Sequence, residues 1–479
     1  MKTVSKVVLT GAVLALVGAG AALAVLQQAG YAPRVLARYV ERRADNHNPA
    51  IVRVGGMAAS AALGADRGGG TAAPSFALKA GAQPRAATAE QAALRDVMVG
   101  SVPELLLAVG KAMPGDAIIL LPGRYRITGT VGLSRSGTAA QPIVLMASTP
   151  GSVEVEIATV QGFAVSGAHW RVENLSVRGV CAQHADCEHA FHVVGGGAYF
   201  TALNNTLSDF NAHFKINGEE GRFPDHGRIE GNTLENSTPR SVDSTVAAID
   251  MVAVNDWVVR GNLIRDFLKA GGDQVSYGAY AKGAGARNLF EQNVVLCESA
   301  LQAMPGARVG LSLGGGGTGA QFCRDGRCIM EQEESTLRAN LVAGCSDAGI
   351  YLNSAARSLV VNNTLLDTAG IDVRFAASTA RVDGNLVDGA IRSRNDGVLY
   401  LGENMSTSTA ALFLGWHPVR RLFAGAPTLR LDWAGEAPRR TDTAIDTGVD
   451  LCGAARPAQA ALGAFENFAA CRRSGPLNR

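Results

Sequence analysis

The chain has 479 residues, enough for one large domain or for two or three ordinary ones, and it contains 57 glycines but few aromatic residues. Abundant glycine suits tight, repeated turns better than a bundle of large helices. The formal net charge is +2 with both signs mixed along the chain, so the composition indicates no nucleic-acid partner.

The N-terminus has the pattern of a targeting segment. Lys2 and Lys6 precede an uncharged, mostly apolar stretch at residues 7–26 that is long enough to span a membrane, and Ala22-Leu23-Ala24 offers a small-x-small cleavage site. We expect residues 1–26 to be a signal peptide or a membrane anchor and the protein to be periplasmic or secreted. An uncleaved segment would attach it to the inner membrane. Four arginines soon after the stretch favour cleavage: Arg34, Arg38, Arg42 and Arg43.

Residues 27–93 are rich in Ala, Gly and Arg and are predicted to be a linker, interrupted by a short helix at PRVLARYVERRA. The folded body begins at Leu94. Its first helix follows Ser101, which forms a capping box with Glu104, and a PGD turn and a strand come next.

A pattern of apolar-x-x-Asn-x-apolar recurs in one register along the body. Its asparagines are Asn205, Asn232, Asn262, Asn293, Asn340, Asn363 and Asn385, at spacings of 27, 30, 31, 47, 23 and 22 residues. A recurring unit of this length, with one insertion, is typical of a solenoid, and short runs separated by Gly and Asn favour β coils. We expect each asparagine to take left-handed backbone angles at a bend and to hydrogen-bond the asparagine of the next coil.

These features resemble the right-handed parallel β-helix of the pectate lyase superfamily. GTAAQPIVLMAS at residues 137–148, which follows the capping helix, is similar to the entry of the alginate lyase and chondroitinase B group, polysaccharide lyase family 6. The resemblance covers residues 95–405 and implies an all-β fold. We therefore assign residues 94–405 to a right-handed parallel β-helix with an N-terminal capping helix, and residues 406–479 to an irregular tail that closes it.

The eight cysteines, an even number, fit an oxidising compartment. Cys297 and Cys345 follow laddered asparagines by similar offsets, which predicts a disulfide between adjacent coils. The three other pairs are expected to close local loops and to tie down the tail: Cys181 with Cys187, Cys323 with Cys328, and Cys452 with Cys471. Zinc is the alternative at the first pair, because His184, His189 and His192 lie close by in sequence.

The resemblance also implies a reaction. Family 6 lyases use a lysine to abstract the proton next to a uronate carboxylate, an arginine on the next coil assists, and calcium neutralises the carboxylate. Lys282, in YAKGAGARNLFEQNVV, stands where the family places its lysine. The acidic calcium ligands are not evident, because Val275 and Tyr277 occupy their positions and only Asp273 is nearby. The next coil, VGLSLGGGG, has no arginine, and Arg308 just upstream is the candidate substitute.

Further candidates lie on neighbouring coils. Tyr277 and Tyr280 are candidates to stack on sugar rings or to protonate a leaving oxygen, and His226 beside Asp225 is a candidate acid or base. Basic groups on several coils favour an acidic polysaccharide as the partner. The candidate substrate-binding residues are Lys215, Asp225, Arg228, Arg287, Arg374 and Arg392. A structural interpretation stands beside these: Lys282 as an exposed wall charge and His226 as a solvated turn residue.

Three functions remain open at this point. The first is an exported, calcium-independent or weakly calcium-dependent lyase that cleaves a uronic-acid polysaccharide by β-elimination. The second is a non-catalytic β-helix that binds glycan or serves as an envelope scaffold, which the missing calcium ligands and arginine favour. The third is a hydrolase or epimerase, although the coils lack the clustered aspartates that hydrolases on this fold use.

Overall fold

Short strands from successive coils stack in parallel into three long sheets. The computed structural model describes residues 30–44, 47–68, 70–71, 74–84, 93–302, 305–441 and 448–473, together with 18, 20, 21 and 24–28. Each coil contributes a strand to the first, second and third sheet in turn, and strands at the same position in neighbouring coils pair in register. The predicted parallel β-helix is therefore confirmed.

The bounds of the strands follow the three sheets of the described chain. The first sheet consists of Arg95–Val99, Asp116–Leu120, Ile143–Ala147, Trp170–Glu173, Thr201–Leu203, Arg228–Glu230, Val258–Arg260, Leu289–Glu291, Thr336–Arg338, Ser358–Val361, Thr379–Asp383 and Val398–Leu401. The second consists of Gly123–Ile127, Val153–Ile157, Ser176–Gly179, Thr206–Ser208, Thr233–Glu235, Leu263–Arg265, Val294–Leu296, Leu341–Ala343, Thr364–Leu366, Leu386–Val387 and Met405–Ser406. The third consists of Val131–Leu133, Gln161–Val165, His189–Val194, Ala212–Asn217, Val246–Val252, Val275–Lys282, Ala307–Leu313, Ile350–Asn353, Gly370–Arg374 and Ala390–Arg394.

Smaller elements complete the described fold. A short parallel sheet joins Gly285–Ala286, Gln332–Glu333 and Ala355–Ala356, and an antiparallel pair joins Phe423–Gly425 and Arg430–Trp433. The α-helices are α1 (Pro33–Ala44), α2 (Pro49–Arg67), α3 (Val102–Gly110) and α4 (Thr409–Phe413).

Helix α3 is the predicted capping helix. The Ser101 hydroxyl accepts a hydrogen bond from the Glu104 N–H, and the Glu104 carboxylate accepts one from the Gly100 N–H at 2.7 Å, so the first turn is satisfied as the capping box requires. The helix contacts the first strands of the sheets and buries Leu105 and Val109 against the core. It thereby covers apolar side chains that the first coil would otherwise leave open.

A ladder of buried asparagine amides joins the coils at the bend between the first and second sheets. Asn293 shows the pattern: its Nδ2 donates to Asn340 Oδ1 at 3.0 Å and to the Val259 carbonyl at 2.9 Å, while its Oδ1 accepts from the backbone N–H and the Nδ2 of Asn262. The same bonds repeat along the ladder, which confirms the predicted stacking of Asn232, Asn262, Asn293, Asn340, Asn363 and Asn385 and extends it to Asn205 and Asn404.

The expectation that the laddered asparagine itself takes left-handed angles is wrong. The residue before it does so: Asn204, Gly231, Gly261, Gln292, Ala339, Asn362 and Gly384 all have positive φ. The physical reason is that the preceding residue makes the bend, which leaves the asparagine free to aim its amide along the axis of the helix.

Disulfides hold the coils and loops as predicted. Cys297 and Cys345 are bonded across adjacent coils, with Cα atoms 4.9 Å apart. The other bonds are Cys181–Cys187, Cys323–Cys328 and Cys452–Cys471. Because the sulfurs of Cys181 and Cys187 are bonded to each other, they are not available as zinc ligands, and the zinc alternative at this pair is wrong. No cluster of three or more His, Cys, Asp or Glu suited to a metal occurs among the described residues.

The predicted linker is largely folded. Helix α1 matches the predicted PRVLARYVERRA helix, but α2 was not predicted, and the two form a hairpin that packs on the β-helix. The reason is ionic: the buried Arg34 guanidinium pairs with Asp66 at 2.6 Å and with Asp367 at 3.0 Å. After α2 the chain continues along the second sheet, where the Gly81 N–H donates to the Gly261 carbonyl.

The predicted targeting segment lies mostly outside the described residues. None of the described helices is long and apolar enough to cross a membrane.

The C-terminal tail does more than close the end of the β-helix. Phe423, Phe465 and Phe468 form an apolar cluster with Leu341 and Leu386, which lie on strands of the second sheet. The tail therefore covers the outer face of that sheet over several coils, so strands of the second sheet are buried on both faces.

Asn293→Ala should lower the free energy of unfolding by about 3 kcal/mol, because several buried donors and acceptors lose their partner at once. Urea denaturation measures the loss. Asn404→Ala is the matched control at the partly exposed end of the ladder, and its cost should be less than half as large. Equal losses for the two variants would contradict the ladder's role.

Acid should destabilise the fold through His213. Complete burial lowers the pKa of His213 to about 4, and its Nε2 contacts the Glu235 carbonyl at 3.0 Å. Between an unfolded pKa of about 6.5 and this value, the unfolded chain binds a proton that the folded chain does not. The stabilisation is therefore complete above pH 6.5 and is lost as the pH falls toward 4, by about 3 kcal/mol in all. His213→Gln does not titrate and should lose stability less steeply over this range; parallel curves for the two proteins would contradict the assignment.

Candidate functional site

One row of polar side chains follows the outside of the third sheet. Phe191, Phe214, Ile249, Ala279 and Leu311 are register partners on successive coils and belong to the core. Since side chains alternate along a strand, the next residue of each strand points away from the core. The outer row formed in this way consists of His192, Lys215, Asp250, Tyr280, Ser312, Tyr351, Asp372 and Arg392.

The middle of the outer row forms the floor of a cleft of about 630 Å³. Lys215, Asp250 and Tyr280 line it, and so does Lys282, two positions beyond Tyr280 on the same strand. The Lys282 ammonium lies 4.8 Å from the centroid of the Tyr280 ring, and the side chain is half-buried. Lys282 is therefore part of a walled cleft, and the interpretation of it as an exposed wall charge is wrong.

Lys215 and Asp250 form an ion pair on adjacent coils. The Lys215 Nζ donates to Asp250 Oδ2 at 2.8 Å. Burial acts to raise the pKa of the Asp250 carboxyl, but the charges of Lys215 and Lys282 outweigh it, so this pKa is lower than usual and Asp250 is ionised at neutral pH. Asp250 is thus a fixed negative group between two lysines.

Two buried polar atoms beside this pair are left without hydrogen bonds of normal geometry. Asp250 Oδ1 and the Tyr280 hydroxyl have no such partner among the described residues, although the side chains are only 4% and 2% exposed. Burial first, and the nearby Asp250 charge second, raise the pKa of Tyr280 well above its usual value, so the phenol keeps its proton. An unpaired buried hydroxyl and carboxylate oxygen are costly in a fold and fit a site that receives a polar ligand.

Two histidines adjoin Lys215 on the preceding coil. His192 Nε2 lies 2.8 Å from Asn217 Oδ1, and the rings of His189 and His192 are 5.2 Å apart. Burial and the neighbouring positive groups lower the pKa of His189 to about 3, and burial also lowers the pKa of His192. Both imidazoles are therefore neutral at pH 7, and they place no positive charge beside Lys215.

A disulfide-closed loop builds one wall of the cleft. Gly317–Gly326 line it, and the Cys323–Cys328 bond lies at their end. Arg324 anchors the loop by donating to both oxygens of Asp225 at 2.8 Å, and its guanidinium covers the Phe223 ring. Gly314 begins the loop at φ +70°, where a Cβ would lie 1.8 Å from the Asn353 carbonyl oxygen, so only glycine fits this approach.

The structure does not bring all of the predicted catalytic residues together. Tyr277 packs edge-to-face on Tyr280 at 5.3 Å but does not line the cleft, and burial raises its pKa to about 12. Arg308 is buried in an ion pair with Glu298 at 2.6 Å, at the register position of Ser276 rather than near Lys282. It holds the chain beneath the α1–α2 hairpin, so it does not replace the family's arginine in the cleft.

His226 belongs to a second corner of the coil. Its ring stacks on Tyr199, which stacks on His169, and all three residues have positive φ. Its Nδ1 lies 3.8 Å from the Asp256 carboxylate, and it does not line the cleft. The structural interpretation of His226 as a turn residue accounts for its position.

The predicted substrate-binding residues divide in the same way. Lys215 lines the cleft and Asp225 anchors its wall. The others pair elsewhere: Arg228 with Glu230, Arg287 with Asp256, Arg374 with Tyr351 and Asn395, and Arg392 with Asp372 and the Gly30 carbonyl. Sequence reasoning missed Asp250 and Arg324. A lone aspartate inside the apolar strand Val246–Val252 is the signal that points to Asp250.

The residues of the cleft do not fit a calcium ion. Calcium takes about six to eight oxygen ligands, usually with several carboxylates. Asp250 is the one buried carboxylate that lines the cleft in the described structure, and Lys215 occupies one of its oxygens. Asp273, the acidic residue nearest to the expected ligand positions, pairs with Lys269 at 2.8 Å instead.

Comparisons with known proteins support the fold. The sequence model of the chondroitinase B family matches residues 99–240, a range that includes Lys215 but ends before Asp250, Tyr280 and Lys282. No curated protein matches the chain significantly. The crystal structure of pectate lyase Pel9A is similar, with a TM-score of 0.54 at 14% identity over 79% of this chain and 98% of that chain.

Two further solved structures are more distant. The alginate lyase from Paenibacillus sp. str. FPU-7 gives a TM-score of 0.35 at 16% identity, over 66% of this chain and 96% of that one. A mannuronic-acid-specific polysaccharide family 6 lyase from human gut microbiota gives 0.40 at 13% identity, over 69% and 85%. The chain therefore has the parallel β-helix fold of pectate lyase Pel9A, and its residues 99–240 resemble the chondroitinase B family.

Proposed function

We propose that this protein is an exported polysaccharide lyase that cleaves a uronic-acid-containing chain by β-elimination. The observation that carries the proposal is the cleft in which Lys282 lies against Tyr280, with the Lys215–Asp250 pair beside them. Export is supported by the cysteines, since all eight are in disulfides, which is typical of an oxidising compartment. The family likeness supports a polysaccharide as the substrate.

Lys282 is the base in this proposal. Its neutral amine accepts the proton on C5, next to the carboxylate of a 4-linked uronate. The electron pair of the C5–H bond forms the C4–C5 double bond, and the bond from C4 to the glycosidic oxygen breaks. A lysine acts as a base only after losing its own proton, so the rate should rise with pH.

Tyr280 is the acid. Its raised pKa keeps the phenol protonated, and its hydroxyl is buried at the cleft without an internal partner. It gives its proton to the leaving glycosidic oxygen and regains one from solvent. The products are an unsaturated uronate and a chain end with a free hydroxyl, so atoms and charge balance.

Lys282→Ala should reduce activity by a factor of at least about 100, because it removes the base. The measurement is the ultraviolet absorbance of the new double bond, with alginate, pectate and glycosaminoglycans as substrates. Lys111→Ala, an exposed lysine at the end of α3, is the matched control and should retain full activity. A fully active Lys282→Ala enzyme would exclude Lys282 as the base.

Tyr280→Phe separates catalysis from structure. The Tyr280 hydroxyl makes no normal hydrogen bond within the described protein, so its removal should leave the melting temperature unchanged or raised while activity falls about 100-fold. Tyr277→Phe, which alters the neighbouring ring outside the cleft, should change activity little. A Tyr280→Phe protein that melts at a lower temperature and retains its activity would show that the hydroxyl is structural.

A further inference from the structure

We infer that Lys215, held in place by Asp250, is the group that binds and neutralises the substrate's carboxylate, so that a side chain performs the work of a metal ion. This inference rests on the proposed function and specifies how its substrate is recognised. Asp250 is then a positioning residue for Lys215.

The first argument is the number of free donors on Lys215. An ammonium group has three N–H donors, and the contact with Asp250 Oδ2 uses one of them. Lys215 makes no other hydrogen bond within the described residues, and its side chain is 23% exposed. Two donors therefore remain to face a ligand in the cleft, which suits the two oxygens of a carboxylate.

The second argument excludes the other basic groups near the cleft. Arg324 gives donors from both terminal nitrogens to Asp225. His192 has its pKa lowered by burial and is uncharged at neutral pH. Arg308 is paired with Glu298 at a different place on the sheet. Lys282 must be neutral to act as base, so Lys215 is the remaining cation of the described cleft.

The third argument is the relation of the two lysines to one carboxylate. The charges of Lys215 and Lys282 both act on Asp250, so the two ammonium groups flank a common point. A uronate has its carboxylate bonded directly to the carbon that loses the proton, and the cation and the base must therefore converge on neighbouring atoms. The free Oδ1 of Asp250 is available to accept a bond from a sugar hydroxyl.

The last argument is chemical. The proton next to a carboxylate becomes acidic only when the negative charge is neutralised, and metal ions commonly do this. The cleft lacks the oxygen ligands for calcium but holds an ammonium that is fixed by an ionised aspartate. The loss of acidic ligands and the presence of the Lys215–Asp250 pair are two sides of the same arrangement.

Binding to an inactive enzyme tests the assignment. In the Lys282→Ala background, the trisaccharides of pectate and alginate and their methyl esters serve as probes in calorimetry. Adding Lys215→Met should weaken binding of the acid forms more than 10-fold and leave the esters nearly unchanged. The pair Lys215→Met with Asp250→Asn avoids an unpaired buried carboxylate, so it should fold normally and show the same selective loss.

Metal dependence is the second measurement. The rate of the wild-type enzyme should be unchanged by EDTA, and calcium should not restore Lys215→Met. Activity that EDTA removes and calcium restores would overturn the inference, as would unchanged acid binding in either Lys215 variant or no binding of any acid trisaccharide. If acid binding depends on Lys215 but the wild type cleaves no polysaccharide, the proposed function fails while the assignment of Lys215 stands.

Discussion

The register between coils is the constraint on which the rest of the structure depends. Each laddered asparagine uses both ends of its amide on a neighbouring coil, and its backbone N–H bonds to the next oxygen of the ladder. A slip of one residue would break these bonds and turn each outer side chain of the third sheet into the core. The alignment of Lys215, Asp250 and Tyr280 on successive coils follows from this register.

The cleft differs from the rest of the coil in its use of polar groups. At the bends, buried amides are satisfied on both sides, whereas at the cleft a carboxylate oxygen and a phenol hydroxyl remain unpaired. The energetic cost of such atoms is acceptable where a ligand completes them. Arg308 illustrates the opposite case: it is charged and close in sequence to the site, but its ion pair with Glu298 makes it a structural residue.

The sequence was sufficient for features that repeat locally. The spacing of the asparagines predicted the ladder, and similar offsets from Asn293 and Asn340 predicted the bond between Cys297 and Cys345. Lys282 came from a family resemblance, and its place in a cleft agrees with that resemblance.

Features that depend on distant partners could not be read in the same way. Arg34 looked like part of a linker, because its partner Asp367 lies more than 300 residues away in the chain. Asp250 was missed because an isolated aspartate in an apolar strand has no local signal of its partner Lys215. Arg324 sits in an insertion outside the repeat, where periodicity predicts nothing. The register brings such residues together, and composition does not.

The central claim is that the cleft cleaves its substrate by elimination, and the origin of the oxygen atoms in the products tests it most directly. The polysaccharide that the wild-type enzyme cleaves is digested in water enriched in oxygen-18, and the products are weighed by mass spectrometry. Elimination keeps the glycosidic oxygen on the leaving chain and adds no water, so unlabelled products with a double bond are predicted. Incorporation of one labelled oxygen at each cleavage, without a double bond, would show hydrolysis and contradict the assignment of Lys282 and Tyr280.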